Sequence, residues 1–245
     1  MSVMSPKRGS LIVRVPHLTL AAAGVALLAP AALPVPATAV PPRERPAARS
    51  EGAVTAAELL ARTGDCARVS KGRYRTDAGS PATVPVCGTH DAVFWKADLD
   101  IDCDGRTSAH CNGRTDPLFA PTTAYQQSDG RHLRAETLPY IVLPAPGPRW
   151  NFLSHGVSGG SVAAVVHEDR VQYAVVGDTG PGDIIGEASY ATARNLGIPS
   201  DPLTGGAPSG VTYIVFRNSR ITPIENHAAA VATGERLARQ FIAHK

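Results

Sequence analysis

Two apolar runs, Ser161–His167 and Val171–Val176, are separated by only Glu168-Asp169-Arg170. So short a link permits one arrangement, an antiparallel β-hairpin. Ala92–Asp102 also has strand character, and from Asp98 onward it alternates. Asp98, Asp100, Asp102 and Asp104 fall on one face; Leu99, Ile101 and Cys103 fall on the other. Pro139–Pro146 and Val211–Phe216 supply further short strands. Helical patterns are fewer. Thr55-Ala56-Ala57-Glu58 is a capping box that opens a short helix stopped at Gly64. Ala188–Leu196 reads as a helix capped near Ser189 and closed by Gly197. Asn226–Ala243 gathers Val231, Gly234, Leu237, Ala238 and Phe241 on one helical face. A chain so built is mainly β, and a small closed or nearly closed barrel of about six strands with peripheral helices accommodates it best.

The first fifty residues stand apart. Lys7, Arg8 and Arg14 precede the apolar run Leu18–Leu33, and Ala37-Thr38-Ala39 offers the small residues of a cleavage site. This is the pattern of a secretory leader over residues 1–39. The apolar run is short for a bilayer span and is broken by Pro30. Residues 40–50 mix Pro41, Pro42 and Pro46 with charges, have nothing to bury, and are expected to form a disordered spacer. Residues 51–245 are then expected to form a single catalytic domain, with no membrane association in the mature form.

Charge narrows the function. The chain has 24 basic and 21 acidic residues. Lys7, Arg8 and Arg14 lie in the leader, and Arg43, Arg45 and Arg49 lie in the spacer with Glu44, so the remainder holds 18 basic and 20 acidic residues. A nucleic-acid binder carries a basic excess; a faintly acidic domain suits a neutral or cationic ligand. Cys66, Cys87, Cys103 and Cys111 read as two disulfides in an exported chain. Three connectivities are possible; the short-loop choice is Cys66–Cys87 with Cys103–Cys111. No Cys-x-x-Cys pair supports a zinc site.

The stretch most suggestive of chemistry runs from Tyr173 to Arg194. Apolar strand residues deliver Asp178 to Gly177-Asp178-Thr179-Gly180-Pro181-Gly182-Asp183, a segment expected to be irregular, and Glu187 follows at the start of a helix. Two carboxylates can flank a glycosidic bond, one protonated to release the leaving oxygen and one ionised to activate water. The competing reading makes both acids caps. Asp183 sits at a tip and is read as solvated. The Asp98–Asp104 row spaces carboxylates about 6.5 Å apart along a strand, comparable to a sugar repeat. It resembles an EF-hand opening, but Cys111 stands where a bidentate Glu is required. Among Trp95, Tyr125, Tyr140, Trp150 and Tyr190, Trp95 adjoins the acidic strand and is preferred for stacking on sugar.

Gly177-Asp178-Thr179-Gly180-Pro181, Ile185-Gly186-Glu187-Ala188-Ser189 and the Asp98–Gly105 stretch together resemble the fungal-type chitosanases, glycoside hydrolase family 75, over most of Ala92–Phe216. The resemblance implies internal hydrolysis of β-1,4-linked glucosamine with inversion, and Asp178 and Glu187 as the catalytic pair. The strand, glycine loop and Ala-rich helix also resemble double-psi β-barrel proteins, which implies a six-stranded double-psi-like barrel with Glu187 as acid and Asp178 as base. The expected substrate contacts are Asp98, Asp100, Trp95 and Thr179. The expected partner is chitosan or a related polysaccharide, acted on by a monomer with no metal or cofactor. The alternatives are cleavage of another wall polymer, such as peptidoglycan, and a non-catalytic expansin-like wall-binding protein.

Overall fold

Most strands of this chain are apolar on both faces, and that is why they close into a barrel rather than lie open to water. The computed structural model describes residues 51–244; the expected leader and spacer lie outside the described residues. Helix α1 (Ala56–Leu60) starts at Thr55 with the reciprocal Thr55–Glu58 capping box in place. The strands are β1 (Cys87–Gly88), β2 (Ala92–Asp102), β3 (Tyr140–Pro144), β4 (Val162–His167), β5 (Arg170–Gly180), β6 (Glu187–Ser189) and β7 (Ala207–Phe216). Helix α2 (Tyr190–Leu196) follows β6 directly, with Ser189 as N-cap and Gly197 closing it in the left-handed conformation. Helix α3 (His227–Ala243) ends the described chain.

The strand order is β2-β6-β3-β5-β4-β7, and β7 pairs back onto β2 to close a six-stranded barrel; β1 adds to the first half of β2. The predicted hairpin is present, with His167 opposite Arg170. Two pairs are parallel, β2 with β6 and β3 with β5. Alternate residues of all six strands, including Val93, Trp95, Leu99, Ile141, Val165, Val176, Ala188 and Tyr213, fill the interior. The opposite face is covered by Leu59 of α1 and by Ala230, Ala238 and Phe241 of α3, which pack on Phe94, Tyr173 and Phe216. Gly234 lets α3 approach Tyr173, where an added Cβ would come within 2.7 Å of the ring Cγ. No helix among the described residues is long and apolar enough to cross a membrane.

Both disulfides form as the short-loop choice predicts, Cys66–Cys87 and Cys103–Cys111, with Cα atoms 5.0 and 4.9 Å apart. Two local expectations are corrected. Strand β5 does not stop at Val176 but runs through the glycine-rich stretch to Gly180. Gly177 is absorbed as a bulge, because Ile141 pairs with Val176 while Val142 pairs with Asp178. A Cβ on Gly177 would lie 2.6 Å from Tyr140 Cβ, so only glycine fits there. Glu187 lies in strand β6, ahead of the Ser189 cap, rather than in the first turn of a helix.

Candidate active site

One register line across the sheet carries the acids of interest. Asp100 of β2 pairs with Glu187 of β6, Glu187 pairs with Val142 of β3, and Val142 pairs with Asp178 of β5. Residues in register project to the same face, so these side chains look into one cleft of about 470 Å³. Glu187 and Asp178 are two strand spacings apart at the backbone, roughly 9.5 Å. Gly180 leaves room for the first of them: an added Cβ would be 2.9 Å from Glu187 Oε2.

The two carboxyl groups have different surroundings. Asp178 is buried, and its Oδ1 accepts the backbone N–H groups of Ala124 and Thr179, each at 2.7 Å. Its pKa is raised by burial, which outweighs the two donors and the nearby His132 that oppose the rise. Hydrogen bonds to the ionised form keep such a group an acceptor. Glu187 has no hydrogen-bond partner for its carboxyl among the described residues. Burial, then the charges of Asp100, Asp104 and Asp178, push it up to about 7. The cleft thus pairs a carboxyl group held by two N–H donors with one that lacks them and is shifted up to about 7.

Further carboxylates flank the pair. Oxygens of Asp77, Asp98 and Asp100 lie within 4.8 Å of one another, as do those of Asp102, Asp104 and Asp178. Asp104 Oδ1 accepts the N–H of Ala120 at 2.7 Å, and burial, with the charges of Asp178 and Asp116, raises its pKa to about 6. Asp102 is raised well above the ordinary value, burial being the main cause. Such all-oxygen clusters suit a hard cation or an ammonium group.

Asp100 and Thr179 line the cleft as the sequence suggested. Asp98 does not line it; it is 4 % exposed, with Oδ1 unpaired against Gly186, and burial and Asp100 push it up to about 7. Trp95 does not line it either. It is 1 % exposed in the barrel interior, stacked on Tyr213 at 5.2 Å and edge-on to Trp150. Its parity explains this: counting by two from Leu99 leads through Ala97 to Trp95, the face opposite the acids. Asp183 is half-exposed and pairs with Arg75 at 3.4 Å, outside the cleft. Sequence reasoning missed Asp77, which sits in the irregular lead-in, and missed Leu118 and Leu203, which line the cleft from two loops.

Comparisons with known proteins give the family. Residues 99–242 match the family model described as fungal chitosanase of glycosyl hydrolase group 75. An endo-chitosanase of Aspergillus fumigatus is 31% identical over 176 residues, covering 65% of this chain and 74% of that protein. An endo-chitosanase of Aspergillus oryzae is 31% identical over 140 residues, covering 52% of this chain and 56% of the relative. An Aspergillus oryzae endo-chitosanase B is 30% identical over 135 residues, covering 51% and 56%. Since the family match takes in β6, β7, all three acids of the register line and most of the barrel, the chain belongs to the fungal chitosanases of glycosyl hydrolase group 75 and is a glycoside hydrolase.

Proposed function

We propose that this chain is an exported endo-chitosanase that hydrolyses β-1,4 glucosamine linkages with inversion, Glu187 acting as general acid and Asp178 as general base. The observation that carries this reading is the contrast between two carboxyl groups on one register line. Glu187 is unpaired and pushed up to about 7, so it holds a proton for the glycosidic oxygen. Asp178 is fixed by two N–H donors, so it stays ready to accept a proton from water. Water attacks the anomeric carbon as the bond to the leaving oxygen breaks; its proton goes to Asp178, and the proton of Glu187 goes to the leaving oxygen. Inversion needs carboxyl groups roughly 6.5–9.5 Å apart, with water between them. Asp100 and Thr179 contact the substrate, Asp100 drawing the ammonium groups of chitosan. Two disulfides accord with an oxidising compartment.

The test is reducing-end release from soluble, highly deacetylated chitosan by wild type, Asp178→Asn and Glu187→Gln, each checked for folding. We expect activity in wild type and a loss of at least about 10²–10⁴-fold in each variant. Loss in only one variant would break the paired mechanism. An inactive wild type would remove chitosan as the substrate.

A further inference from the structure

Leu118 is 90 % exposed and Leu203 is 70 % exposed, the two most exposed large apolar side chains among the described residues. One exposed leucine is ordinary. These two line the same acidic cleft from different loops, and each is presented by the same tripeptide, Asp116-Pro117-Leu118 and Asp201-Pro202-Leu203. In both, the Asp Oδ1 accepts the N–H of the leucine, at 2.8 Å from Leu118 and 3.0 Å from Leu203.

Neither loop is free to fold its leucine away. The first is tied down by the Cys103–Cys111 disulfide, by Gly105 N–H to Ala120 O at 2.8 Å, and by Ala120 N–H to Asp104 at 2.7 Å. The second is closed by Gly205 N–H to Asp201 O at 2.8 Å and Gly206 N–H to Pro199 O at 2.7 Å. Gly206, with φ +92°, presses on Leu99 O, where a Cβ would come within 2.6 Å. The loops stand at opposite ends of the carboxylate row, the first bonded to Asp104 and the second backed on Leu99 beside Asp100.

A pyranose offers apolar C–H faces, and sugar sites commonly meet them with aromatic rings. Among the described residues no aromatic side chain lines this cleft. Carboxylates attract ammonium groups but do so without fixing the tilt of a ring, since Coulomb attraction in a wet groove has little direction. We propose that Leu118 and Leu203 are apolar jaws that grip the polymer at the two ends of the cleft, holding one sugar on each side of the bond between Glu187 and Asp178. They are positioning residues, and the inference rests on the chitosanase reading above.

The experiment measures KM and kcat on chitosan for Leu118→Ala, Leu203→Ala and the double variant, with Leu153→Ala as an exposed leucine outside the cleft. Calorimetric binding of a glucosamine hexamer to Glu187→Gln is measured with and without the two jaw substitutions. Each single change is expected to raise KM about five- to tenfold with kcat within about twofold, and the double change to approach the product of the two. Hexamer binding should weaken in parallel, melting temperatures should hold, and Leu→Phe at either site should restore binding. An active, folded double variant with KM within twofold of wild type overturns the jaws and leaves the chitosanase intact. An inactive wild type overturns the chitosanase reading, and failure of Glu187→Gln to bind the hexamer overturns the jaws as well.

Discussion

Replacing Asp100 by Asn should lower the pKa of Glu187 and leave the barrel unchanged. Asp100 is the direct register partner of Glu187 and, after burial, the largest cause of its displacement to about 7. Opposed residues on neighbouring strands are separated by about 5 Å at the backbone, which puts the two charges about 6 Å apart. At that distance two unit charges repel by about 2.8 kcal/mol for an effective dielectric of ~20, and by about 0.9 kcal/mol at ~60. Asp100 is exposed, so the lower end applies, and one pKa unit corresponds to about 1.4 kcal/mol. The expected fall is therefore about 0.7 of a unit, with about 2 units as the ceiling. Carbon-13 carboxyl titration of the free enzyme reads this directly, with Glu187→Gln assigning the resonance. Working on free enzyme also avoids the titration of the substrate's own amines. Asp77→Asn is the comparison, since Asp77 acts on Asp98 and Asp100 and is not a cause of the Glu187 shift. A wild-type Glu187 titrating near 4.5, or an Asp100→Asn spectrum that does not move, would refute the argument that burial and register neighbours keep this group protonated.

Gly180→Ala places a Cβ 2.9 Å from Glu187 Oε2 and 3.4 Å from Val142, so kcat should fall about 10–100-fold while thermal unfolding shows a folded protein. Folding stability should decline as pH rises from about 4 to 7. Asp98 and Glu187 at about 7 and Asp104 at about 6 keep protons in the folded state that free carboxyls have already released, so the folded state binds more protons across that window. The melting temperature should accordingly be higher at pH 5 than at pH 8; the depressed Glu136, at about 2, acts only below this range. Replacing Cys103 and Cys111 by Ser removes a cross-link between residues eight apart, worth about 2.5 kcal/mol by loop entropy, and calorimetry should show a drop of about 5–10 °C. Trp95→Phe should cost about 1–3 kcal/mol in denaturant unfolding and leave KM for chitosan unchanged, because the ring packs on Tyr213 rather than on substrate.

Much of the barrel was legible because its signals are local. The limits of β2 and the cap of α1 follow from strand alternation and from one tetrapeptide, and both match the structure. The path of β5 past Val176 was not legible, because Gly177, Gly180 and Pro181 have the composition of a loop. What holds them extended is pairing with β3, far away in sequence. Asp178 and Glu187 could be singled out from their motifs, but not their shared line through Val142, which is a fact of strand order. Trp95 was assigned by proximity in sequence when its parity pointed inward. Leu118 and Leu203 lie in irregular loops without periodicity, and the repeated Asp-Pro-Leu was the one local trace they left.

Val142 sits between Glu187 and Asp178 in register with both, and that arrangement has a consequence for how this enzyme could diverge. On the proposed mechanism, the backbones of acid and base are one intervening strand apart, and the Glu187 side chain reaches across it, its Oε2 lying where a Cβ on Gly180 of β5 would be 2.9 Å away. A retaining relative needs its two carboxyl groups only about 5–5.5 Å apart. Strand spacing is held by main-chain hydrogen bonds, so the separation of the two carboxyl groups is set by side-chain length and rotamer, and substitution at either position changes it without moving β3. The barrel in this sense fixes the rails on which acid and base are mounted, while the gap between the groups themselves is left to the side chains.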